Sequence, residues 1–570
     1  MILTKKYLNS TNLLLLGLVV TLIWLNVVPV GMLVWSSFLD SPRPGSEGRF
    51  TLENYVKAYV DEDLSDLFVN TFVFTFGCMA TSLILGSLLA FLISRTDTPL
   101  RRWLPLLIIV PIVFPPFLRS IAWILLLSPR VGLINLTLMK VLNLESAPFN
   151  IFSMEGMIFV RSMGFIPIVY LSMSAAFQTM DSSFEEIARI SGARIWRVFV
   201  RITIPLARPT LLALAVLLFV YGIESFETPL FIGAPAGIQV FASEIYWALY
   251  RGYPAQYGYA TALSSVLLLM AGLGLWAQSG LRGLRSKYST IVGKSHAPSV
   301  LELGRWKHVS GAFILLIVLI MVVLPFLVLL LASLLPYFAA PSWELLKRVN
   351  LSAYREVITH PVFSRSLVNT VFLAVAGSTI AMLLVTLASY IVSKTRIRGR
   401  AGLEALVFIP LAIPGVVLAV GLMWTYIALP VPIYGTIWIL LIAYVVRHIP
   451  AGSRFVAGSM DQIEQDLVES ASVCGARLPT VFRRIAAPLV KPAVVAGWIY
   501  GVLFLMREFT SAAFLSRTGT EVLPMVVFDF WGNGYTAPTC ALAILMLGIM
   551  ILLLWLAQRV LGISLMASRV

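Results

Sequence analysis

The chain has 570 residues, 59% of them hydrophobic and only 12% charged. Its mean hydropathy of +0.91 is far above that of a soluble domain and identifies an integral membrane protein. A net charge of +15 would suit nucleic acid in a soluble chain, but here it is the expected excess of Lys and Arg on the cytoplasmic side, and no nucleic-acid partner is expected.

A helix needs about 20 apolar residues to cross the ~30 Å hydrocarbon core. In chain order such runs lie near 12–36, 67–94, 103–128, 155–180, 209–233, 260–280, 309–336, 365–393, 402–429, 433–458, 491–515 and 538–563. Backbone polar groups in lipid must pair internally, so these predict about twelve transmembrane helices and an all-α fold in contact with membrane lipid. The first run follows Lys5 and Lys6 but is too long for a signal peptide and lacks a small-residue cleavage site, so it is read as a retained span. With the N-terminus inside, alternation through twelve spans assigns 26 of the 42 Lys and Arg to cytoplasmic segments, and both termini are expected in the cytoplasm.

Cys78, Cys474 and Cys540 lie far apart, and the four histidines show no ligand spacing. Neither a disulfide framework nor a bound metal is expected. The residues "GKS" at 293–295 end like a phosphate-binding loop, but Tyr288 stands where the earlier glycine must be and no strand pattern precedes it. No nucleophile or metal constellation of an enzyme is present, so no catalytic residue or cofactor is assigned to this chain.

The chain repeats itself. "VNT" at 69–71 returns at 368–370, and at the same offset of 299 Arg95 matches Lys394, Pro111 matches Pro410 and Pro115 matches Pro414. Later the offset becomes 283, pairing Pro167 with Pro450, Gly192 with Gly475 and Phe226 with Phe509. The domains are therefore a first half, 1–280, a cytoplasmic linker, 281–308, and a second half, 309–570, each of six spans and in the same orientation.

One repeated segment lies between spans. "EEIARISGARIWRVFVRITIP" (185–205) and "DLVESASVCGARLPTVFRRIAAP" (466–488) share Glu186/Glu469, Ala188/Ala471, Gly192/Gly475, Ile202/Ile485 and Pro205/Pro488 at one spacing. A single basic amphipathic copy would suit anionic lipid, but lipid affinity does not require fixed spacing. A helix, a glycine break and a second helix entering a proline would make a short rigid element able to dock in a soluble partner.

These segments resemble the EAA loops of permease subunits of bacterial ABC importers. They depart from that pattern at Ile187, Ser470, Ile204 and Ala487. Across nearly the whole chain the resemblance is closest to the fused permeases of ferric-iron and thiamine importers, with "GIESFETPLFIGAPAGIQVFASEIY" (222–246) and "MREFTSAAFLSRTGTEVLPMVVFDFW" (506–531) most like the ferric branch.

The resemblance implies the permease fold of a type I ABC importer, with coupling loops 181–208 and 461–491 docking on two copies of an ATPase that holds ATP and Mg. It also implies a periplasmic or lipid-anchored substrate-binding protein, alternating access, and a place in the bacterial inner membrane. Thiamine or a phosphonate remains an alternative cargo. An ion-gradient-driven secondary transporter would leave the doubled loops unexplained.

Charges inside apolar spans are functional candidates by default. Span 5 carries Glu224 and Glu227, and span 11 carries Arg507 and Glu508. They are read as lining a translocation pathway for a hard cation or as a buried ion pair forming a tie or gate. Arg161, Arg447 and His448 are read as interhelical hydrogen-bonding groups, and Tyr246, Trp247, Tyr250 and Trp531 as interfacial anchors. The longer external segments, including "TLENYVKAYV" and "LSAYREVITH", are expected to receive the binding protein or to cap the bundle.

Overall fold

A computed structural model of the chain describes residues 3–40, 43–60, 63–101, 103–181, 183–251, 254–288, 300–339, 343–395 and 397–561. The "GKS" triplet and most of the linker's centre lie outside the described residues. Those described are helical apart from turns and two isolated bridges. Nine of the described helices are long and apolar enough to cross a membrane, or twelve if each of three sharply bent pairs is one span.

The first half supplies α1 (Leu13–Ser37), α2 (Asp63–Arg95), α3 (Leu104–Val113), α4 (Pro116–Leu127), α5 (Met154–Thr179), α6 (Ser183–Ile190), α7 (Ile195–Leu206), α8 (Arg208–Ile223) and α9 (Tyr257–Tyr288). The second supplies α10 (Trp306–Leu334), α11 (Pro361–Lys394), α12 (Arg400–Ala412), α13 (Gly415–Ala428), α14 (Ile437–Asp461), α15 (Gln465–Val473), α16 (Pro479–Met506), α17 (Thr510–Leu515), α18 (Leu523–Gly532) and α19 (Thr536–Leu561). The short external pieces fold as helices Glu53–Val60 and Ser352–Thr359.

The runs at 103–128 and 402–429 are not straight spans. Each breaks before its matched proline, with bends of 102° between α3 and α4 and 106° between α12 and α13. A proline excludes the helical conformation from the residue before it, and Phe114 (φ −72°, ψ 118°) and Ile413 (φ −100°, ψ 108°) are extended accordingly. Likewise α7 and α8 meet at 74°, whereas the matched stretch of the second half continues as one helix, α16.

The compact units differ from the repeats 1–280 and 309–570. One contains Met1–Val60, Ile245–Leu268 and Tyr354–Val570; the other contains Asp61–Glu244 and Leu269–Ala353. The first span of each half is thus built into the body of the other. In the first of these units α1 packs along α13, with Gly421 meeting the Pro29 backbone and Trp24 Nε1 donating to Tyr426 Oη at 3.0 Å. In the other, α10 packs on α3 and α4. Contiguity along the chain cannot report this exchange, because a span's packing partner is set by side-chain fit and not by sequence distance.

Small and hydroxyl residues line the closest helix contacts, as expected where lipid gives no hydrophobic drive to association. On α2, Gly86 admits Val169 of α5, and Ser94 and Ser174 hydroxyls lie 2.5 Å apart. On α11, Ser378 Oγ donates to Trp498 O of α16 at 2.9 Å. Outward faces carry large exposed apolar side chains such as Leu269 (62%) and Leu383 (60%), which lipid would cover. Cys78 and Cys540 are buried packing residues, whereas Cys474 is exposed beside Gly475. Tyr246, 8% exposed, is buried against Phe514 and is an internal contact more than an interfacial anchor, while Tyr250, 39% exposed, also packs on Phe514 and donates its hydroxyl to the Phe514 carbonyl at 2.9 Å.

Candidate functional site

The two repeated segments fold alike, each within its own unit. In the first, α6 ends at Gly192 (φ +84°), where the Gly192 N–H bonds Arg189 O and the Ala193 N–H bonds Ala188 O, both at 2.9 Å. In the second, α15 ends at Gly475 (φ +79°), where the Ala476 N–H bonds Ala471 O at 3.0 Å. This is the Schellman stop, in which a left-handed residue turns back to satisfy the last carbonyls. It explains why glycine recurs four residues after Ala188 and Ala471.

Each chain then re-enters a helix through a single π turn, Phe199–Thr203 or Phe482–Ala486. Pro205 and Pro488 lack an N–H, which removes the ordinary bond to the carbonyl four residues earlier. The wider turn, closed by Ile204 N–H on Phe199 O and by Ala487 N–H on Phe482 O, accommodates the loss. The matched Ile202 and Ile485 lie half-buried in these turns, and Pro205 and Pro488 are exposed.

Matched contacts seat both segments. Phe199 packs on Phe91 of α2 with ring centroids 4.5 Å apart, and Phe482 packs on Tyr390 of α11 at 5.1 Å. Arg95 Nη2 donates to Met180 O at 2.8 Å, and Lys394 Nζ donates to Ile463 O at 2.5 Å. Position by position these are the same two contacts in each half.

The outward side is apolar at the tip. Ile190 and Val473, matched at offset 283, are each 88% exposed, and Phe184 and Leu467, also matched, are 45% and 48% exposed. Glu186 and Glu469 are exposed, and Ala188 and Ala471 are half-buried. The carboxylate that the first segment buries is its neighbour Glu185, at 1% exposure, which sequence matching does not single out because its counterpart is Val468.

The four intramembrane charges lie where helices end, not inside them. Glu224 caps the C-terminal end of α8, and Glu227 opens the next helical turn after the unwound Ser225 and Phe226, just before the π turn Pro229–Gly233; both are half-buried. Arg507 closes α16, half-buried, with its guanidinium 5.4 Å from the Phe504 ring centre. Glu508 is turned inward at 5% exposure, accepts from Ser511 N–H at 3.1 Å and Ser511 Oγ at 2.9 Å, and lies 3.7 Å from Arg447 Nε. Non-helical backbone at membrane depth persists only where protein or a cavity covers it.

Arg161 stacks on Phe165 of its own helix, 4.3 Å from the ring centre, and His448 is buried. Arg119, which apolar-run reading passes over, is 2% exposed and donates through Nη2 to Pro111 O and Phe114 O, both at 3.1 Å. A cation there satisfies the open carbonyl end of α3 at its 102° bend. In the second half the arrangement is reversed: Arg447 of α14 lies against Gly415 of α13, its Cζ 3.1 Å from where a Cβ there would be, as Arg119 of α4 abuts Gly164 of α5.

Comparison with known proteins agrees with this duplication. The model of the family described as "binding-protein-dependent transport system inner membrane component" matches twice, at residues 82–282 and 385–562. The chain is 27% identical over 425 residues to the ferric transport system permease protein FbpB of Actinobacillus pleuropneumoniae, covering 74% of this chain and 60% of that protein. It is also 27% identical over 418 residues to the putative ferric transport system permease protein FbpB 1 of Haemophilus influenzae, covering 73% and 64%. The aligned region thus spans somewhat under two thirds of these relatives' own length. A solved bacterial transporter for the acidic polysaccharide alginate aligns with 49% of this chain and 98% of its own, at 19% identity and a TM-score of 0.40. With the family model matching most of the chain in two copies, this multi-pass protein belongs to the inner membrane components of binding-protein-dependent transport systems, which are transport subunits and not enzymes.

Proposed function

We propose that this chain supplies both halves of the transmembrane permease of an ATP-binding-cassette importer, that α6–α7 and α15–α16 are its two coupling elements, and that its cargo is ferric iron delivered by a periplasmic binding protein. The observation that carries the coupling reading is the pair of apolar tips, Ile190 and Val473, bare at matched places on two rigidly capped helices. An exposed apolar patch on a stiff element, here Ile190 with Phe184 and Val473 with Leu467, favours a protein contact. Two such elements in one chain call for two ATPase copies.

The names of the relatives aligned over about three quarters of the chain support ferric iron as cargo. Glu224 and Glu227, carboxylates at a helix break, suit a hard cation, and Arg507 suits a gate or a tie. Glu508, held by Arg447 and Ser511, suits a structural anchor of that break. ATP binding closes the two ATPases, the coupling elements move with them, and the broken helices are the points where the spans yield. Both states must lie within a few kcal/mol of each other for a ligand to shift them.

The test is uptake of radiolabelled ferric iron by cells carrying the chain and its partners, against cells lacking only this chain, with the purified complex assayed for an ATPase. Chain-dependent uptake and about two ATPase copies per chain support the proposal. An ATPase without iron uptake would keep the permease and discard the cargo, moving thiamine or a phosphonate forward. Absence of an ATPase would discard the coupling reading.

A further inference from the structure

The matched seats of the two coupling elements differ in one respect. In the first half Arg95 (0% exposed), Glu185 (1%) and Thr203 (0%) form a buried polar cluster. Arg95 Nε lies 3.8 Å from Glu185 Oε2, and Thr203 Oγ1 donates to Glu185 Oε1 at 2.6 Å. The same three places in the second half hold Lys394, Val468 and Ala486, also buried. All three positions change together, so a carboxylate and its two partners are replaced by an apolar pair beneath a shorter cation.

We propose that Glu185 is a positioning residue: its buried carboxylate fastens α6 and the following π turn to the end of α2, doing through Arg95 and Thr203 what Val468 and Ala486 do by apolar contact. This rests on the reading of α6–α7 as a coupling element. Geometry gives the carboxylate that role, because its two partners come from two other segments and one of them, Arg95, reaches a third. Arg95 ends α2, Thr203 ends the π turn, and Met180 O, also held by Arg95, is the residue just past α5. A charge so buried is costly unless paired, so the cluster holds as a unit or not at all.

The linker joins the same fastening. Leu301 N–H bonds Arg95 O at 2.8 Å, Leu303 N–H bonds Asp97 Oδ1 at 2.8 Å, and Arg189 Nη1 of α6 reaches Glu302 O at 3.2 Å. Arg95 therefore grips the coupling element with its side chain and the linker with its backbone. The described end of the linker, Leu301–Leu303, is thus a brace on the first coupling element.

The experiment compares the whole permease–ATPase complex as wild type, Glu185→Ala, and the triple variant R95K/E185V/T203A, which imports the second half's set. Amide hydrogen exchange is followed at 186–193, with 469–476 as internal reference, together with labelled ferric iron transported per ATP hydrolysed. For Glu185→Ala, exchange at 186–193 is expected to rise about tenfold or more and transport per ATP to fall, while 469–476 is unchanged. The triple variant is expected to restore both to near wild type, a rescue that mere loss of folding does not permit. Unchanged exchange in Glu185→Ala, or a triple variant as loose as the single one, would overturn the proposal. If wild type itself carries no ATPase, the coupling reading fails, and the exchange comparison still decides whether Glu185 fastens α6.

Discussion

Arg119 and Gly164 interlock across α4 and α5: the guanidinium lies over Gly164, where a side chain would displace it. Gly164→Ala would push Nη1 aside and draw Nη2 off Pro111 O and Phe114 O. A buried polar group stripped of its hydrogen bonds costs about 1–3 kcal/mol, and a charged one more. The variant is expected to melt several degrees below wild type in detergent, whereas Gly17→Ala, with nothing within 4 Å, is expected to melt with it.

Gly192 and Gly475 need glycine for a different reason. No atom lies within 4 Å of a Cβ at either position, so size is not the constraint; their φ values of +84° and +79° are. A residue with a Cβ pays roughly 1 kcal/mol or more in the left-handed region, and Asn pays less than Ala or Val. The double Val variant is expected to lose uptake while inserting normally, and the double Asn variant to retain most of it. Equal uptake by the Val and wild-type chains would show that the Schellman stop does not matter for transport.

These residues also show what was legible beforehand. Gly192, Gly475, Pro205 and Pro488 stand out because local backbone rules fix them in both halves, and a repeat exposes whatever both copies share. The same filter hides Glu185 and Arg119, whose counterparts are Val468 and Leu418, since two copies can solve one packing problem with different chemistry. The pairing of Pro115 with Pro414 is plain, but a bend of 102° or 106° is not, because hydropathy is blind to direction. The exchange of α1 and α10 between bodies depends on contacts across hundreds of residues, and no local pattern encodes it.

Arg365 and Glu521 make a two-pronged pair, Nε to Oε2 at 3.0 Å and Nη2 to Oε1 at 3.1 Å. Burial alone would raise the Glu521 pKa, but backbone N–H groups of Gly519 and Glu521 and the Arg365 charge outweigh it and hold it below the ordinary 4.5. A carboxylate whose folded pKa is depressed adds stability above its unfolded pKa and loses it as pH falls through the folded value. Wild type is therefore expected to exceed Glu521→Gln in stability at neutral pH, by no more than about 1 kcal/mol given the exposure of Arg365. The gap should close below about pH 4.5 in unfolding curves measured at a series of pH values.

Ile190 and Val473 separate docking from folding. Each is 88% exposed, so replacing it with Asp removes almost no internal contact and is expected to shift the melting temperature of the isolated permease by little. If these tips enter a pocket of the ATPase, a carboxylate must be buried there in place of a methyl-bearing group. A central contact of that kind is worth about 2 kcal/mol, or roughly thirtyfold in affinity. Ile190→Asp and Val473→Asp are each expected to weaken ATPase binding by that order, and the double variant to release it on purification. The two single effects should be similar if the two sites are alike. A double variant that keeps its ATPase would place the contact elsewhere on α6 and α15, on the faces bearing Glu186 and Glu469.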